Sequence, residues 1–336
     1  MSNKRFGCLP LVVTFVLLTS LFLNLLLLGW NNRDTAHTKL NFANRTLPEL
    51  DESLVAPGSA NSKIALLPIR GVITSGAMGS GGESMVEDFK MALNQAVEDN
   101  EVKAIVLAID SPGGEVTAAD TIYQAVIKAR QKKPIVVYMG SVAASGGYYI
   151  ACGGSFLMAS DTSITGSIGV IIETLNYQQL LGKIGVEAVV FKSGKFKDIL
   201  SGSRPMTEEE KALIQKMVMQ TYDKFVGIVA KERKIPEDYL RLNIADGRIF
   251  SGRDALGEKL INGLGQIEDA YDKARQLGNA PGASVIRYES RLKFGKLLRM
   301  FGSESERTHI QLDLTESALP KLEAGKLYLL PSMFAP

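Results

Sequence analysis

Val102-Lys103-Ala104-Ile105-Val106-Leu107-Ala108-Ile109 runs straight into Asp110-Ser111-Pro112-Gly113-Gly114. The first stretch is apolar except at Lys103 and rich in β-branched side chains, the pattern of a strand buried on both faces. The turn residues end it, and Ile122, Ala125, Val126 and Ala129 then recur at helical spacing. Pro134-Ile135-Val136-Val137-Tyr138-Met139 follows as the next strand. Strand, helix, strand is the crossover that parallel pairing requires.

The same rhythm extends in both directions. Upstream, Ile64-Ala65-Leu66-Leu67-Pro68-Ile69 reads as a strand, and Met85, Phe89, Ala92, Leu93 and Ala96 place a helix over 83–99. Downstream come a strand at Phe156-Leu157-Met158, a helix over 176–183 and a strand over 186–191. Thr207 and Glu210 form a capping box that opens a long helix striped by Ile214, Val218, Phe225 and Val229. A last strand is expected over 284–288. The alternation predicts an α/β domain, residues 63–290, with a mostly parallel sheet and flanking helices. Residues 291–336 form a tail that is amphipathic only in patches.

Before the domain, residues 9–29 carry no charged side chain. A helix of that length matches a hydrocarbon core of about 30 Å. Lys4 and Arg5 precede the run, Trp30 follows it, and no small-x-small exit closes it as a cleaved signal would. Cys8 lies before the run and is not a lipidation cysteine. We expect an uncleaved anchor with residues 1–8 in the cytoplasm, residues 30–62 as a tether and the domain on the extracytoplasmic side of the cell membrane. Charge alone does not orient it, since Arg33, Lys39 and Arg45 lie beyond. Lys and Arg number 38 against 36 Asp and Glu, without the basic excess of a nucleic-acid binder. Two cysteines give neither a disulfide framework nor a zinc site.

The chemistry centres on Tyr138-Met139-Gly140-Ser141-Val142-Ala143-Ala144-Ser145-Gly146-Gly147. A strand ends, small residues follow, and a helix begins near Ser145, which is the logic of a nucleophile elbow. Asp110-Ser111-Pro112-Gly113-Gly114 ends another strand, and in open α/β sheets both loops fall on one edge. The N–H of Gly114, helped by that of Gly146, is suited to an oxyanion hole. A hydroxyl nucleophile needs a base, and the two histidines, His37 and His309, lie in tether and tail. Lysine remains, and Lys192, Lys195 and Lys197 are all candidates that spacing alone does not separate.

Taken together these segments resemble the bacterial signal peptide peptidases of the SppA type, similar in fold to ClpP and crotonase. The resemblance covers roughly residues 63–290 and rests on Asp110-Ser111-Pro112-Gly113-Gly114, Gly140-Ser141 through Gly146-Gly147, Thr165-Gly166-Ser167-Ile168-Gly169 and Lys197-Asp198, in that order. It implies Ser145 as nucleophile, Lys197 as its base, Ser167 as the residue that orients the lysine, and Gly114 as an oxyanion donor. Glu115 stands where another small residue is expected, which leaves the specificity of the adjoining pocket open. The resemblance also implies a homo-oligomeric ring, an octamer in similar proteins, in which neighbouring subunits complete each site. The expected activity is hydrolysis of hydrophobic peptides, above all signal-peptide remnants in the membrane, through an acyl-enzyme and without metal or cofactor. Two alternatives share the fold: a crotonase-like acyl-CoA enzyme, and an inactive membrane-tethered scaffold.

Overall fold

Alternate residues of the central strands enter two different cores. In strand β3 (Val102–Ser111), Ile105, Leu107 and Ile109 join one apolar cluster while Ala104 and Val106 join another on the opposite face. Strands β2 (Ser59–Arg70) and β5 (Ile135–Ala144) repeat the division, with Ala65, Leu67 and Ile69 against Ile64 and Leu66, and Val137 and Met139 against Val136. This two-sided burial is why these strands are apolar throughout rather than alternating.

The computed structural model describes residues 19–20, 50–76, 84–289 and 328–329. Chain contacts divide into two units, residues 1–48 and 49–336. In the first, Thr19 and Ser20 are helical. The rest of the expected membrane segment 9–29 lies outside the described residues, and among the described residues no helix is long and apolar enough to cross a membrane.

In the second unit the remaining strands are β1 (Asp51–Ala56), β4 (Gly114–Glu115), β6 (Phe156–Ala159), β7 (Ile164–Gly166), β8 (Ile249–Ser251), β9 (Gly263–Leu264), β10 (Ala283–Glu289) and β11 (Tyr328–Leu329). The main sheet runs β1-β10-β2-β3-β5-β6-β9, with β7 on the far half of β5 and β8 on β7. Every pairing from β10 to β9 along that path is parallel, and β1 and β8 add antiparallel edges. The helices are α1 (Met85–Glu98), α2 (Val116–Arg130), α3 (Gly146–Ala151), α4 (Gln178–Lys183), α5 (Glu208–Arg233), α6 (Glu237–Asn243), α7 (Gly252–Gly257) and α8 (Ile267–Leu277). Helix α8 covers one face of the sheet through Ala270, Tyr271 and Ala274, whereas α1, α2, α3 and α5 build the other.

Three expectations need correction. Strand β5 does not stop near Met139 but continues through the small residues to Ala144, because the pairing partner changes from β6 to β7 along its length. Residues 51–56 and 59–62, read as the end of the tether, are strand: β1 is a half-exposed edge strand whose polar residues conceal its pairing with β10. Residues 186–191 form no strand; they are exposed, Phe191 by 95%. Their apolarity signals a surface to be covered, and among the described residues no sheet edge reaches them.

Candidate active site

Three strand ends meet at one edge of the sheet. Ser111 of β3 lies beside Ala143 of β5, and Ala144 lies beside Gly166 of β7. Parallel strands thereby bring Asp110-Ser111-Pro112-Gly113-Gly114, Ser145-Gly146 and Ser167 together at their carboxyl ends.

Ser145 sits between β5 and α3 with φ 53° and ψ −112°, a backbone conformation that a residue with a Cβ adopts only under constraint. The constraint is visible: its N–H donates to the Gly166 carbonyl at 2.8 Å, and its own carbonyl accepts from Tyr149 N–H at 2.8 Å. The side chain is fully buried, and its Oγ has no hydrogen-bond partner among the described residues. A buried hydroxyl left unpaired costs about 1–3 kcal/mol, so this site combines two local penalties at one residue. Ser167 also has positive φ, 49°, and is buried, with its N–H donating to the Arg248 carbonyl at 2.8 Å.

Gly114 is held from one side. Ile73 N–H donates to the Gly113 carbonyl and Glu115 N–H to the Ile73 carbonyl, each at 2.8 Å. Alternate residues of an extended chain bond to opposite sides, so the N–H of Gly114 faces away from Ile73. Its nitrogen lies close to the serine loop: a Cβ placed on Gly146 would lie 3.2 Å from Gly114 N. A Cβ on Gly114 itself would come within 2.0 Å of the Ile73 carbonyl oxygen, which restricts the position to glycine. The open edge of Gly114–Glu115 is taken by β11, antiparallel, with Leu329 opposite Gly114 and fully buried. An extended chain segment therefore fits against this strand.

Glu115 proves to have a structural task that the sequence did not disclose. Its carboxylate accepts from Thr74 Oγ1 at 3.2 Å and from both the N–H and the hydroxyl of Ser75, fastening that segment alongside Gly114.

The three candidate lysines differ in their neighbours. Lys192 Nζ is ion-paired with Asp198 at 2.7 Å, and Lys195 with Glu209. Lys197 is exposed, and its ammonium has neither hydrogen bond nor ion pair among the described residues. No hydrogen bond joins it to Ser145. The structure thus gathers Ser145, Gly146, Gly114 and Ser167 but leaves Lys197 on an exposed limb of residues 171–206.

Comparison with known proteins is consistent over most of the chain. The profile of peptidase family S49 matches residues 127–280, and that of Clp protease matches 77–162. An Enterococcus faecium protein provisionally named signal peptide peptidase SppA is 35% identical over 300 residues, covering 86% of this chain and 85% of that one. A provisionally named protease of Methanocaldococcus jannaschii is 41% identical over 196 residues, 58% of this chain and 63% of its own. Protease 4 of Salmonella typhi is 31% identical over 253 residues, 74% of this chain and 39% of the longer relative.

Proposed function

The chain belongs to peptidase family S49 and is a serine peptidase, and from that premise we propose that Ser145 is its nucleophile and Lys197 of a second copy its general base. The observation that carries this reading is the contrast at the two residues: among the described residues, a strained, buried hydroxyl without a partner and an exposed ammonium without one. Peptidase chemistry follows from the family, over the acyl-CoA enzyme or inactive scaffold that fold alone leaves open.

Neutral Lys197 accepts the Ser145 proton as Oγ bonds to the substrate carbonyl carbon. The oxyanion receives hydrogen bonds from the N–H groups of Gly114 and Gly146; each such donor is worth about 10²–10³ in rate. Protonated Lys197 then gives its proton to the leaving nitrogen as the C–N bond breaks. Water attacks the ester by the reverse sequence and frees the serine. Ser167 orients the lysine. The pairing of residues 328–329 with Gly114–Glu115 supports substrates bound as extended strands, the main chain supplying affinity and alternate side chains supplying selection. Hydrophobic peptides such as signal-peptide remnants suit a domain tethered by residues 9–29 outside the membrane. The exposed apolar limb, with Leu175, Leu180, Ile184, Val189 and Phe191, suits burial against a neighbour in a homo-oligomeric ring.

Complementation tests the reading. Ser145→Ala and Lys197→Ala chains, each inactive alone, are co-assembled and assayed on a hydrophobic fluorogenic peptide. Random pairing of neighbours restores about a quarter of wild-type activity if each site draws on two copies. No recovery from mixtures shown to contain both variants in one assembly sinks the two-copy site. Full activity of Lys197→Ala alone sinks the base assignment.

A further inference from the structure

Lys197 is followed by Asp198, and the carboxylate of Asp198 is held by two cations of the exposed limb. Arg204 Nε and Nη2 grip its two oxygens at 2.7 and 2.8 Å, and Lys192 adds a third contact at 2.7 Å. The same guanidinium grips Glu210, with Nη1 and Nη2 at 2.9 and 2.6 Å from its two oxygens. Glu210 in turn is the capping-box residue of α5, accepting from Thr207 N–H at 2.8 Å. One planar cation therefore bridges the turn that bears Lys197 to the buried Glu210 in the first turn of a 26-residue helix.

The surrounding backbone leads to the same place. Lys197 N–H donates to the Gly194 carbonyl and Ser201 N–H to the Asp198 carbonyl, both at 3.1 Å, so residues 194–201 form consecutive turns. Asn176 Nδ2 donates to the Arg204 carbonyl at 3.1 Å, and Tyr177 N–H to that of Gly202 at 2.8 Å. Hydrogen bonds from Arg204, then Lys192, hold the Asp198 carboxyl well below the usual carboxylate range, and Arg204 together with the Thr207 N–H lowers Glu210 to about 2. Both carboxylates stay ionised across the working range of a peptidase, so the bridge persists there. This much tethering is unexpected in a limb whose apolar side chains are left exposed.

We propose that Arg204 is a positioning residue for Lys197: by holding Asp198 and Glu210 at once it fixes the turn that presents the lysine to the serine. The proposal rests on the assignment of Lys197 as base. Two parallel bonds to each carboxylate define an angle as well as a distance, which a lysine at this position does not reproduce. Among the described residues Lys197 itself stays unpaired while its neighbour is held, the arrangement that a base needing a fixed approach and a free nitrogen requires.

The test uses the full chain, with Arg204→Lys and Asp198→Asn compared with wild type and Lys197→Ala. Steady-state kinetics on the fluorogenic peptide are measured across pH, with light scattering for assembly and thermal unfolding for stability. Both variants are expected to lose at least tenfold in kcat with KM within twofold, and the rising limb of the kcat profile shifts as the lysine is no longer held toward the serine. A purely structural role lowers the unfolding temperature but leaves kcat per assembled molecule and the pH limb in place, and that result overturns the proposal. Where Arg204→Lys fails to assemble, Asp198→Asn, which keeps shape and removes charge, decides alone. If Lys197→Ala is inactive and Arg204→Lys is fully active, the dyad stands and the positioning role falls. If Lys197→Ala is active, the dyad reading fails and takes the proposal with it.

Discussion

The serine loop and the lysine limb are built by opposite means. Ser145 is enclosed by strand ends of a two-sided core, and the backbone is held in a conformation its side chain disfavours. Lys197 stands on turns with little apolar burial, tied down by charges on Asp198, Arg204 and Glu210. Packing sets a position within one chain and leaves little freedom. Charge-assisted bonds can hold a side chain outward, ready for a surface that arrives later. A site divided as proposed would be incomplete in an isolated subunit.

The widest separation between the two regions comes from Gly114→Ala. Its Cβ would press on the Ile73 carbonyl at 2.0 Å, displacing the N–H proposed for the oxyanion. We expect kcat to fall by about 10²–10³, comparable to loss of one oxyanion donor, with assembly unchanged by light scattering. Normal kcat would remove Gly114 from the chemistry. Next, read by stability and not by rate, is Ser145→Gly, which should eliminate activity yet relieve both the positive φ and the unpaired hydroxyl. Thermal unfolding of the variant should show stabilisation by about 1 kcal/mol after allowing for the greater unfolded-state freedom of glycine. Destabilisation would mean that the strain is not borne by Ser145. Smallest is Phe191→Ser on the limb, 95% exposed in the single chain. Stability of the isolated subunit should change by less than about 0.5 kcal/mol. The assembly should instead dissociate at higher protein concentration than wild type, and an unaltered dissociation midpoint would show that this side chain meets no neighbour.

The strands were legible because burial on both faces demands uninterrupted apolar residues, and β2, β3 and β5 satisfy that demand within a few positions. The start of α5 was legible because Thr207 and Glu210 act through local bonds three residues apart. Residues 186–191 were misread for the complementary reason: apolarity reports that a side chain needs cover and not what supplies it. The polar strand β1 was missed because its pairing is to β10, more than 200 residues away.

What the sequence determined by itself was therefore local and compositional: the alternating α/β order, the small-residue path into Ser145, and a cluster of three lysines within six residues. Tertiary structure decided the rest. It placed three strand ends on one edge, gave Ser145 its strain, left its hydroxyl unpaired, and paired Lys192 and Lys195 with carboxylates while leaving Lys197 free among the described residues. Those features depend on which distant residues become neighbours. Chain order constrains spacing along the backbone, whereas hydrogen bonding, strain and ion pairing are fixed only by distances through space.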